Sequence, residues 1–153
     1  MRRHMTALIP LALIVAVLGI LGCLVQGDYE VPLPNGYLLV RSNSYDIAIF
    51  GPKELHQTRV VAPLIVALAV NRDLVFGEVT DSHNPWLGEN TELANRERGE
   101  QERARGYFLL DTKAHSVQLG LTRKAWLLEL QKHGLSTEPR LEKPDRNFGH
   151  HTL

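Results

Sequence analysis

Asp81-Ser82-His83 and Trp86, in the segment DSHNPWLGEN, are the residues whose types and spacing come nearest to a binding site. An aspartate and a histidine two positions apart could share a divalent ion, and a tryptophan following a proline could stack on a ligand. The same side chains beside Asn84-Pro85 also shape a turn, since Asp and Asn bond to nearby backbone and proline fixes φ. We take the turn as their primary role. Asp81, His83 and Trp86 then stand as possible binding residues, with no metal and no other cofactor expected. His150-His151 lie in a C-terminal stretch that supplies no rigid ligand geometry.

Glycan cleavage would need two carboxyl groups at a controlled separation, one of them with a raised pKa. Glu78 with Asp81, and Asp46 with Asp111, fall near expected strand ends, where solvated acids and turn residues are ordinary. The chain contains no Gly-x-Ser-x-Gly elbow, no phosphate-binding glycine loop and no His-Glu-x-x-His helix. No catalytic residue is therefore assigned. Seventeen basic residues balance seventeen acidic ones, which removes the electrostatic footprint of a nucleic-acid partner. The single cysteine, Cys23, excludes an internal disulfide framework and a multi-cysteine zinc cluster.

The elements that must position these residues follow from period and turn chemistry. Three segments each show an apolar run, a polar turn and a second apolar run: GYLLVRSNSYDIAIF, LIVALAVNRDLVFGEV and GYFLLDTKAHSVQLGL. Their turns fall at Ser42-Asn43-Ser44, Asn71-Arg72-Asp73 and Thr112-Lys113-Ala114-His115. Residues 64–70 are apolar almost throughout, which predicts a strand buried on both faces. After the third hairpin, Thr122 can cap a helix over residues 123–133, with Trp126, Leu127 and Leu130 on its apolar side and Gly134 at its C-terminal cap. The expected fold is α+β: a mainly antiparallel sheet of about six strands, made of three hairpins, packed by one C-terminal helix.

This globular unit is expected over residues 37–135. It carries a charged insertion at about 81–105, in which Glu92 with Arg96 and Arg98 with Glu102 have helical spacing. Residues 136–153 read as a surface tail. Before the unit, GDYEVPLPNG carries two prolines and an Asn-Gly, so residues 23–36 are expected as an extended linker ending in a turn.

The N-terminus pairs a short basic start, Arg2-Arg3-His4, with an apolar run over residues 5–25. Within it, Ile20-Leu21-Gly22-Cys23 resembles the lipobox of bacterial lipoproteins. That resemblance implies a thioether from Cys23 to diacylglycerol, with residues 1–22 removed as a signal peptide. Residues 8–25 also come close to the roughly 20 apolar residues that span a bilayer, so an N-terminal membrane anchor is the alternative, and plain cleaved secretion a third. All three place the domain on the extracytoplasmic side. The blocks GDYEVPLPNGYLLVRSNSYDIAIFG and GYFLLDTKAHSVQLGLTRKAW are similar to small bacterial lipoproteins and exported proteins grouped as domains of unknown function. The similarity implies an anchored envelope domain and no catalytic residues.

The leading expectation is a membrane-anchored, noncatalytic binding or structural module of the bacterial envelope. It would meet the membrane through its N-terminal lipid or helix and bind an envelope protein or wall component. The second is an envelope enzyme or transport accessory whose site is assembled from residues distant in sequence. The third is an inhibitor or immunity-type lipoprotein acting through a protruding loop, for which Trp86 and the charged insertion are the candidates. A pocket of converging ionisable groups favours the second, and an exposed apolar surface favours the first.

Overall fold

A computed structural model describes residues 28–81 and 91–148 of the chain. The alternating and continuous apolar runs become eight strands in two antiparallel sheets. The first sheet holds β1 (Tyr29–Pro32), β2 (Leu38–Asn43), β3 (Asp46–Phe50) and β4 (Arg59–Val61) in sequential order. The second holds β5 (Ile65–Asn71), β6 (Leu74–Val79), β7 (Gly106–Asp111) and β8 (Ser116–Leu121), again sequential. The α+β class and the antiparallel pairing match the expectation. The strand count and the single sheet do not: the described residues form eight strands in two sheets, with two α-helices.

The extra strands come from segments with weak local signals. β1 forms in the proline-bearing stretch expected as a linker, where Tyr29 pairs with Arg41 and Val31 with Leu39. Proline is compatible with an edge strand because no neighbour needs its missing N–H. β4 is only three residues long and pairs Val61 with Ile49. Two hydrophobic clusters explain why one sheet is insufficient. Leu39, Ile49 and Val61 of the first sheet meet Leu68, Val75, Phe108 and Leu110 of the second in the larger cluster. Phe76 and Leu109, one residue out of phase and so on the opposite face, meet Trp126 and Leu130 in the smaller one.

The second sheet is thus covered on both faces, by the first sheet and by a helix, which suits the buried apolar centres of β6 and β7. That helix spans Arg123–Lys132 and will be called α2. Thr122 Oγ1 accepts from Ala125 N at its start, and Gly134 and Leu135 donate to Gln131 and Leu130 carbonyls at its end. Trp126 is 1% exposed and stacks on Tyr107 with ring centroids 4.6 Å apart.

The charged insertion contains α1 (Glu92–Ala104), thirteen residues capped by Thr91. It buries little beyond Ala94 and Ala104. The expected pairs Glu92–Arg96 and Arg98–Glu102 give way to Arg96–Glu100, at 3.2 Å, while Arg98 reaches Asn95 and the Ala94 carbonyl. The C-terminal end of α1 meets β8 where the β7–β8 pairing shifts register. Gly120 sits in this shift with φ 65°, and a Cβ there would lie 2.7 Å from the Arg103 carbonyl oxygen.

The core also reaches beyond residues 37–135. Val31 and Leu33 before it and Phe148 after it are buried in the intersheet cluster. Leu68 and Glu142 exchange backbone hydrogen bonds of 2.9 and 2.8 Å, so the C-terminal segment covers the edge of β5.

Candidate functional site

The densest set of chemistry-bearing side chains lies where three turns converge. Pro34–Gly36 forms one turn of 3₁₀ helix in which Asn35 takes φ 55°, a left-handed value that asparagine tolerates. Its Nδ2 donates to Asp73 Oδ1 at 3.0 Å and to Thr112 Oγ1 at 2.8 Å. Thr112 is fully buried, and its hydroxyl and backbone N–H both donate to the Asp73 carbonyl, at 2.7 and 2.9 Å. Asp111 Oδ1 accepts from Lys113 N and Ala114 N, which shapes the β7–β8 turn and presents His115. His115 Nδ1 lies 3.0 Å from the Tyr37 hydroxyl.

A phenol, an imidazole and carboxylates so arranged are the parts of an acid–base site. The electrostatics point elsewhere. Burial, and then the negative charge of Asp111, push the Tyr37 hydroxyl above its ordinary pKa. The phenol therefore holds its proton and shares a hydrogen bond with His115 Nδ1. A catalytic base or nucleophile needs the opposite shift and access to substrate, whereas Tyr37 is 1% exposed. The adjoining cavity, bounded by Arg72, Asp73, Asp111, Lys113 and His133, is about 220 Å³. That is below the usual range for ligand pockets, roughly 300 Å³ upward. The arrangement is a joint, tying the Asn35 arm to both turns of the second sheet.

Of the binding candidates named from the sequence, Asp81 lies within the described residues. Asp81 Oδ2 pairs with Arg105 Nη1 at 3.2 Å across the base of the insertion, with both side chains well exposed. His83 and Trp86 lie outside the described residues, as do Cys23 and His150-His151. Among the described residues there is no group of three or more potential metal ligands. Asp46 and Asp111 are apart: Asp46 faces Arg59 at 3.6 Å in the first sheet, while Asp111 serves the β7–β8 turn in the second.

A different concavity was not foreseen. Between β4, β8 and α1 runs an open groove of about 410 Å³. Val60, Ala62, Val117 and Leu119 make its apolar floor, and Arg59, Glu100 and Arg103 stand around it. The local signal was faint: Val117 and Leu119 alternate with polar residues in β8, and Glu100 and Arg103 are one helical turn apart. Their meeting depends on both sheets. No family model, curated protein or solved structure matches this chain.

Proposed function

We propose that this protein is a noncatalytic binding module held on the extracytoplasmic side of a bacterial membrane by its N-terminal segment, and that it binds an envelope protein or wall component. The carrying observation is a contrast between two sites. The polar groups of the three-turn joint are bonded to one another, while the groove between β4, β8 and α1 is open and floored by apolar side chains. An exposed apolar surface of this kind favours recognition over catalysis.

The N-terminal sequence supports the tether. Its apolar run ends at Val25, and β1 starts at Tyr29, leaving Gln26, Gly27 and Asp28 between them. Three residues span about 10 Å at full extension, so an anchored chain holds the first sheet close to the bilayer. Tethering raises the local concentration of the module at the membrane. Among the described residues no helix is long and apolar enough to cross a membrane.

The test is fractionation of cells making the full chain, followed by an alkaline carbonate wash and protease treatment of intact and opened spheroplasts. Retention in the membrane with cleavage in intact spheroplasts is expected. Release by the wash, or protection until the spheroplasts are opened, overturns the placement.

A further inference from the structure

The two outer edges of the second sheet are treated differently. The β5 edge is occupied by the Leu68–Glu142 bonds. Among the described residues the β8 edge has β7 as its only strand partner, and α1 meets it near Gly120 through the Arg103 carbonyl. Ser116, Val117 and Gln118 are exposed, and Val117 retains 38% of its surface. Exposed edge strands commonly carry a lysine, a proline or an inward charge that blocks pairing. The sequence SVQLGL has none of these, and its only such device is the bulge at Gly120.

Charge around the groove selects among occupants. Glu100 is engaged by Arg96 at 3.2 Å and Arg59 by Asp46 at 3.6 Å. Arg103 has no acidic partner among the described residues and stands at the Gly120 end of β8. Among the described residues one positive charge is left in excess, beside an apolar floor and a strand edge without a further partner. An extended peptide satisfies all three features: its backbone pairs with the edge, alternate side chains fill the floor, and an acidic group reaches the guanidinium.

We infer that this groove binds an extended partner segment that adds antiparallel to β8, with alternate apolar side chains over Val117 and Leu119 and a carboxylate against Arg103. This rests on reading the protein as a binding module and names the chemistry of its partner. A fatty carboxylate would use the floor and the arginine but leave the strand edge unpaired.

The experiment uses the full chain in a nonionic detergent and two fluorescent probes, the capped peptides Glu-Val-Thr-Val-Thr and Gln-Val-Thr-Val-Thr. Anisotropy is expected to show the Glu peptide binding about tenfold more tightly than the Gln peptide. Arg103→Glu should abolish that preference and Arg103→Lys should retain part of it, with circular dichroism confirming the fold of both. Hydrogen exchange should slow at residues 116–119 when the Glu peptide is bound. Equal binding of the two peptides, protection elsewhere, or absence of binding up to about millimolar peptide overturns the inference. So does binding of decanoate at the groove without the Glu peptide. A carbonate wash of membranes from the same cells separates the two claims: a chain that washes off but binds the peptide refutes the tether alone, and an anchored chain that ignores the peptide refutes the groove alone.

Discussion

Trp126 and Phe108 are joined across the boundary between helix and sheet: the buried indole Nε1–H donates to the Phe108 carbonyl at 3.1 Å. Phe108 lies within the register shift between β7 and β8, so the indole supplies a donor where the ladder is interrupted. Its own side chain points into the other cluster. One residue pair therefore couples both hydrophobic clusters.

Replacing Trp126 by alanine should destabilise the domain by about 3 to 5 kcal/mol, through lost packing against Phe76 and Tyr107 and an orphaned carbonyl. Trp126→Phe keeps an aromatic ring but not the donor and should cost at least about 1 kcal/mol. Urea unfolding of a chain lacking residues 1–27 provides the measurement. A loss below about 1 kcal/mol for the alanine variant would refute this packing.

Deleting residues 1–27 alone should leave a soluble domain that unfolds cooperatively, because the described core begins at Tyr29. Ending that same chain at residue 135 should not, since it removes Phe148 from the intersheet cluster and uncovers the β5 edge. Phe148→Ala should cost about 3 kcal/mol. Calorimetry of the three chains distinguishes them, and an equally stable chain ending at 135 would contradict the core described above.

Two tyrosines make stability fall at alkaline pH. Burial raises the Tyr37 pKa, with Asp111 adding to it; burial also raises that of Tyr29, against the opposing charge of Arg41. Above about pH 10 the unfolded chain releases phenolic protons that the folded chain still holds, so stability present below that pH is lost as pH rises through the folded values. Tyr37→Phe should flatten this decline. Unfolding at a series of alkaline pH values measures it, and an unchanged slope would exclude a Tyr37 contribution.

Glycines of the two helix-associated segments should respond with opposite sign. Gly99 lies inside α1, and a methyl group added there would meet nothing within 4 Å, so Gly99→Ala should stabilise by about 0.5 to 1 kcal/mol. Gly120→Ala meets both a positive φ and the Arg103 carbonyl and should destabilise by more than about 1 kcal/mol. Thermal unfolding of both variants decides the matter.

For Cys23, the lipid reading predicts that labelled palmitate enters the wild-type chain and not a Cys23→Ser variant, because serine cannot form the thioether. The mature protein should then begin at Cys23. A retained spanning helix would tolerate that serine, which can bond within a helix. Mass spectrometry of membrane-extracted protein separates them; a full-length chain with unmodified Cys23 would end the lipid reading.

The hairpins and α2 were legible because each carries its own boundary signals: polar turns between apolar runs, Thr122 before the helix and Gly134 after it. β1 was obscured by Pro32 and Pro34, β4 by its brevity, and α1 by a buried side reduced to Ala94 and Ala104. The division into two sheets is decided by which runs pair, and local period does not encode that. The joint shows the same limit. Asn35, Asp73 and His115 each read correctly as turn residues, yet they are separated by roughly forty positions and meet only after both sheets stack. The groove is less visible still, since Val60 and Val117 belong to different sheets.

Pro32, Leu33 and Pro34 line one cavity together with Phe148, so the two ends of the described chain are neighbours in space. The folded stretch from β1 to Phe148, with its ends adjoining, is in shape a ring that happens to be cut at one place. The side chains around that cut keep it closed without a peptide bond. The order in which the strands are synthesised is thus separable from the order in which they pack, and the Ser44-Tyr45 turn, exposed between β2 and β3, could equally be where such a ring begins.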